Sequence, residues 1–364
     1  MRRRILASVL VLLASLGAVS SVPSAGAVVD ALPSRLSDQE FWRLSADLSE
    51  DNGYFRSDNL LSNELWFQTV IPELLNRTKA GGVYLGVGPE QNFTYIAALQ
   101  PKMAFITDIR RGNLHTHLMY KALFELSDDR AEFMARLFTK KRPSGLDGRT
   151  SAHDLQQAFW DETRAPTGDA DAYKANLEAV YDVLTRKHAL PLSKEDREGI
   201  DYVYYSFYWY GPAITYNSSS TWSMRGGMAT YAALMEATDN DGIARSFLAS
   251  EDNFRFVKEL QRRNLIVPVV GNFGGPKALR SIGAYLRERG ATVTAFYLSN
   301  VEQYLYQDGL AGNFCANVAA MPLDEASTFI RTQQGGGRSG LMTFLGDMRR
   351  DTAGCGGARP LPLR

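Results

Sequence analysis

Gly86 and Gly88 are the first residues whose types and spacing could do chemistry. They close the apolar run Val83-Tyr84-Leu85, and a helix-compatible segment follows them to Leu99. A second apolar run, Met103 to Thr107, ends on Asp108, about 20 residues after Gly88. In the order strand, glycine turn, helix, strand, acid, the turn lets a backbone approach a ligand and the acid accepts hydrogen bonds from ribose hydroxyls. Gly86, Gly88 and Asp108 are therefore candidate contacts for a nucleoside-like ligand, and Glu90 stands in the same turn. Leu265 to Val270 is again apolar, and Gly271-Asn272-Phe273-Gly274-Gly275 is a second glycine turn, which adds Asn272 to the candidates. Thr292 to Leu298 reads as a further strand and ends in Ser299-Asn300-Val301-Glu302. Ligands of parallel sheets collect outside the carboxyl ends of the strands, so these turns, with Ser299, Asn300 and Glu302, are expected to converge on one crevice.

The elements that must position these groups can be read around them. From Ser37 to Ala80 the pattern is helical, interrupted by the polar run Phe55 to Glu64. Ser62 is placed to cap a helix carrying Leu65, Trp66 and Val70, with Glu64 in its first turn. Asp58, Asn59 and Asn63, with Arg56, have two readings: they face the crevice, or they form an ordinary polar loop. Arg110 and Arg111 likewise either neutralise an anionic ligand or are solvated. His115 and His117, two residues apart, cannot share a metal from one helix face. Residues 127–199 lack strand signals and read as a helical insertion. Asp201 to Tyr210, DYVYYSFYWY, alternates with period two and predicts a buried strand. A helix is predicted over 227–237. In the second unit, Pro276 suits a first helical turn, Ala278, Leu279, Ile282 and Leu286 form a stripe, and Gly290 is a stop. Pro268 inside its strand predicts a bulge or an unpaired position. Residues 319–364 read as a C-terminal tail, with little order from Gln333 onwards.

A chain of 364 residues with 45% hydrophobic content can form one large α/β domain, or a domain with a helical insertion. Forty basic residues balance forty acidic ones, so total charge points to neither nucleic acid nor an anionic membrane; a small molecule is the expected partner. Arg2, Arg3 and Arg4 precede the apolar run Ile5 to Val19, and Ala25-Gly26-Ala27 supplies small residues for a signal peptidase. Residues 1–27 are expected to be a secretory signal, the alternative being an uncleaved membrane anchor. Either puts the body outside the cytoplasm, periplasmic or extracellular, and cleavage leaves no membrane span. Cys315 and Cys355, the only cysteines, are expected to form one disulfide in an oxidising compartment. With no CxxC and no paired histidines they make no ligand set, and no metal site is expected.

The phrases FRSDNLLSNE, YLGVGPEQNFTYIAAL, VPVVGNFGGPKALRSIGAYL and FYLSNVEQYL resemble a bacterial family of exported Rossmann-like proteins with no established activity, over about Ser37 to Val318. More distantly, the two glycine turns and Asp108 are similar to class I S-adenosylmethionine-dependent methyltransferases. The resemblance implies an α/β fold with a mostly parallel sheet flanked by helices. Residues 28–80 would be a helical segment packed on a Rossmann-like domain over 81–318. It implies S-adenosylmethionine as a candidate cofactor, with Gly86, Gly88, Glu90, Asp108 and Asn272 around it and Asn272 orienting a methyl acceptor. Tyr84 departs from the acid that ends the first strand in that pattern, and Glu90 replaces its third glycine. Gln91 stands where a dinucleotide fingerprint has glycine, and no G-x-S-x-G elbow is present. Two functions remain: a methyltransferase-like enzyme, or a non-catalytic exported binding module that has lost cofactor binding. Catalytic residues are not assigned by either.

Overall fold

A computed structural model describes residues 31–160, 165–217, 228–335 and 340–355. The expected signal segment lies outside them. The chain runs α1 (Asp38–Leu48), α2 (Ile71–Arg77), β1 (Val83–Gly86), α3 (Gln91–Leu99), β2 (Met103–Asp108) and α4 (Arg111–Leu126). Before the next strand come α5 (Arg130–Leu137), α6 (Ala152–Phe159), α7 (Ala170–Tyr181), α8 (Lys194–Tyr210), α9 (Tyr231–Glu236) and α10 (Glu251–Arg262). Then follow β3 (Ile266–Val270), α11 (Ala278–Glu288), β4 (Val293–Ser299), α12 (Val301–Gln307) and α13 (Ala311–Ala319). The described part ends with β5 (Thr328–Gln334), β6 (Leu341–Asp347) and α14 (Met348–Thr352).

The strands form a six-stranded sheet in the order β3-β2-β1-β4-β5-β6. The first five are parallel and β6 returns antiparallel to β5. The chain steps from β1 outwards to β3, then crosses back to place β4 on the other side of β1, so the order reverses between β1 and β4. β1, β2 and β3 are buried along their whole length, as strands covered on both faces must be. Phe93 of α3 meets Tyr120 and Phe124 of α4 edge-on at 5.2 and 5.3 Å. A separate cluster of Phe273, Phe296, Phe314 and Phe329 joins β4, β5 and α13. Among the described residues no helix is long and apolar enough to cross a membrane.

Several elements differ from the sequence reading. DYVYYSFYWY is not a strand but the second half of α8. A capping box of Ser193 and Asp196 starts this helix, and Ile200, Val203, Tyr204 and Phe207 are buried at i, i+3, i+4 and i+7. Tyr202 and Tyr205 face outwards, so the aromatic run satisfies a 3.6-residue period as well as alternation. The helical stretch expected over 127–199 thus continues to α10. Of the helix expected over 227–237, the described part is α9, capped by Thr230. Residues 319–364 are more than a tail, because β5 and β6 complete the sheet. No helix carries Leu65, Trp66 and Val70: those residues form turns, and α2 starts only at Ile71. Pro72 explains the delay, since it has no N–H for a helix running in from residue 66 and fits a first turn instead.

Pro268 is accommodated because β3 is an edge strand. The free side of β3 is covered by the end of α1: Ser45 Oγ donates to the Pro268 carbonyl at 2.5 Å, the Val270 N–H donates to Ser49 Oγ at 3.0 Å, and the Glu50 N–H donates to the Val270 carbonyl at 2.8 Å. Cys315 in α13 and Cys355 beyond α14 form a disulfide, as expected.

Candidate functional site

A cavity of about 690 Å³ opens outside the carboxyl ends of β1 to β4. The first glycine turn forms part of its wall through Val87, Gly88 and Pro89. Gly88 has φ +75°, a left-handed conformation that glycine adopts without strain. The carbonyls of this turn are gathered from behind: Asn92 Nδ2 donates to those of Val87, Gly88 and Pro89 at 2.8–3.0 Å. Asn92 Oδ1 in turn accepts from the Tyr84 hydroxyl at 2.8 Å, so Tyr84 braces the turn from inside the sheet. A β-carbon at position 86 would collide with Asn92 Oδ1, which explains glycine there. His117 Nε2 donates to the Gly88 carbonyl at 2.9 Å, leaving Nδ1 unprotonated. Burial pushes its pKa down to about 4, so the imidazole is neutral.

Glu90 is fully buried behind the turn and does not line the cavity. Its Oε1 accepts from the Ser62 N–H at 3.1 Å and its Oε2 has no partner. Burial pushes its pKa up to about 8, and the backbone hydrogen bonds only partly offset this, so the group is a neutral acid at pH 7.

Asp108 lies on the cavity wall, but its carboxylate is already occupied. The Arg110 N–H donates to Oδ1 at 2.9 Å, and the Arg110 guanidinium stands 3.4 Å from both oxygens. The same guanidinium donates to the Asp58 carbonyl, tying the upstream polar run to β2. Arg110 is thus neither ligand-facing nor merely solvated.

The second glycine turn is closed by a residue the sequence reading did not single out. Glu50 inserts its carboxylate into the turn and accepts from the N–H groups of Asn272 at 3.1 Å, Lys277 at 2.9 Å and Ala278 at 2.8 Å. It fills the anion-binding position at the start of α11 from within the chain. Asn272 lines the cavity, with Oδ1 accepting from the Gly274 N–H at 2.9 Å.

Ser299, Asn300, Glu64 and Thr107 continue the wall, with Ser299 ending β4 and Asn300 following it beside the point of strand reversal. Glu64 is 1% exposed. Ser299 Oγ donates to its Oε1, and Thr332 Oγ1 donates to its Oε2 at 2.6 Å. Burial raises its pKa, while the hydroxyls of Ser299, Thr332 and Tyr297 pull it back. Elsewhere the lining is aromatic: Phe55 packs edge-on to Tyr304 at 5.1 Å, and the Arg56 guanidinium lies 5.6 Å from the Tyr304 ring centre.

Of the sequence candidates, Gly88, Asp108, Asn272, Asn59, Asn63, Ser299 and Asn300 come together on this cavity. Asn59 has φ +47° and a buried Oδ1 without a partner. Gly86, Glu90, Asp58 and Glu302 stand off it. The Asp58 carboxylate accepts from the Tyr202 hydroxyl at 2.8 Å, and Glu302 pairs with Arg331 at 2.8 Å. Sequence reasoning missed Glu50 as a plug and Glu64 as part of the wall. Glu64 belonged to a polar run already noticed, whereas nothing near Glu50 signals a partner 222 residues on. Among the described residues no three His, Cys, Asp or Glu side chains are grouped to hold a metal ion.

Sheet and crevice together define an α/β protein with a cavity at the carboxyl ends of a mostly parallel sheet. Residues 59–344 match a domain family of unknown function, DUF7790, and the chain belongs to that family. No curated protein matches the chain.

Proposed function

We propose that this protein is a Rossmann-like, methyltransferase-like module that binds a nucleoside-like small molecule in the crevice, with S-adenosylmethionine as the candidate ligand. The observation that carries this reading is the cavity of about 690 Å³ where the strand order reverses between β1 and β4, walled by Gly88 and Asp108. Such reversal points are where open α/β sheets take ligands, and the volume suits a small organic molecule. The aromatic lining supports the reading by offering faces for a base to stack against. The disulfide and the N-terminal sequence support export.

A second reading, a non-catalytic module that has lost this cofactor, is favoured by two further observations. Arg110 holds the carboxylate that would grip ribose, and Glu50 fills the second glycine turn. Methyl transfer rests on alignment rather than on a triad, so neither reading turns on an acid–base pair. Calorimetric titration with S-adenosylmethionine and S-adenosylhomocysteine separates them. The first reading predicts saturable heat that Asp108→Ala abolishes; no heat at high micromolar protein leaves the second.

A further inference from the structure

Among the described residues, the other acids with 4% exposure or less are each met by a cation, with one exception. Asp108 pairs with Arg110, Asp196 with Arg111 at 2.7 Å, and Asp239 with Arg245 at 2.8 Å. The exception is Glu90, which is sealed off from the cavity and answers burial by keeping its proton. Glu64 differs from all of these. Among the described residues no Lys, Arg or His pairs with it, and it lines the cavity. The groups packed around it are phenols and hydroxyls: Tyr84 from β1, Tyr95 from α3, Tyr297 and Ser299 from β4, and Thr332 from β5. Arg331, next to Thr332, is spent on Glu302 and Asp351.

The carboxylate is also held in a defined orientation. Ser299 and Thr332 each donate to one of its two oxygens, and the Tyr297 hydroxyl stands beside the same group. Ser299 adopts φ +52° to do so, a left-handed conformation uncommon for a non-glycine residue. A buried, oriented acid without an internal cation, open to a ligand cavity, is complementary to a positively charged donor.

We propose that Glu64 receives a cationic nitrogen of the ligand, so that the occupant of the crevice is a nucleoside-like molecule bearing a primary ammonium group. This rests on the nucleoside reading given above and adds the charge of the ligand. Ser299 and Thr332 act as positioning residues through their hydrogen bonds to the carboxylate.

The test is a calorimetric comparison at pH 7 of adenosine and 5′-amino-5′-deoxyadenosine, which differ in one hydroxyl against one ammonium. A charge-assisted hydrogen bond predicts that the ammonium compound binds at least about tenfold more tightly. Glu64→Gln preserves shape and keeps one acceptor for Ser299 or Thr332, while its amide N–H can donate to the other hydroxyl once that hydroxyl rotates. It should bring the two affinities within about twofold of each other, because only the charge that the ammonium meets is lost. Equal affinities in the natural protein, or a preference that survives in Glu64→Gln, overturn the assignment while the nucleoside reading stands. The first of these needs no variant and is independent of its folding. No binding of either compound removes the nucleoside reading and this one with it.

Discussion

Replacing Glu50 should loosen the second glycine turn by a calculable amount. Its carboxylate accepts three backbone N–H groups at 2.8–3.1 Å, two of them at the start of α11. A hydrogen bond to a charged group contributes about 1.5–3 kcal/mol when isolated. The three share one half-buried acceptor and water can re-solvate the freed amides, so a total of about 3 kcal/mol is the reasonable expectation for Glu50→Ala. Unfolding entropy of about 2.1 cal/mol/K per residue converts this to a fall of about 4 °C in melting temperature. The assay is thermal unfolding by circular dichroism or calorimetry, with Glu50→Gln expected to lose less because it keeps one acceptor. An added anion supplies a sharper readout. Sulfate should restore part of the loss in Glu50→Ala, where the amides are vacant, and not in the natural protein, with chloride as the ionic-strength control. A Glu50→Ala protein that melts within about 1 °C of the parent, with no sulfate effect, would refute the claim that Glu50 holds this turn.

Two further outcomes follow from the buried chemistry. Glu90 titrates near 8 in the fold and near the ordinary 4.5 when unfolded, so the folded state holds an extra proton in that window and loses stability as pH rises through it. The stability of Glu90→Gln relative to the parent should therefore climb by up to about 1.4 kcal/mol per pH unit between pH 5 and 8 in urea titrations; a constant difference contradicts this. The disulfide closes a separation of 40 residues and joins α13 to the segment just after α14. Replacing both cysteines by serine should cost roughly 4 kcal/mol on the chain-entropy account, measured in the same titrations, and an unchanged midpoint would contradict it.

The sheet was largely legible because each of β1 to β4 is an apolar run closed by glycine or a polar residue, and runs buried on both faces are hydrophobic throughout. β5 and β6 were less so, since Gln333, Gln334 and the following glycines mask their apolar content. α8 was misread because an aromatic run satisfies two periods at once, and only Ile200 and the Ser193–Asp196 box break the tie. The wall of the crevice was legible at strand ends, where topology alone brings Gly88, Asp108, Asn272 and Ser299 together. What each side chain does there was not. Arg110 neutralising Asp108, Glu50 plugging the second turn and Ser299 orienting Glu64 depend on packing between segments that no local pattern relates.

The most direct test of the central claim is a crystal structure of the protein with S-adenosylhomocysteine. The nucleoside is predicted to lie over Gly88 and Pro89, between Asp108 and Ser299, with its ammonium group against Glu64. A nucleoside bound elsewhere, or an empty crevice in crystals grown at saturating ligand, would contradict the account.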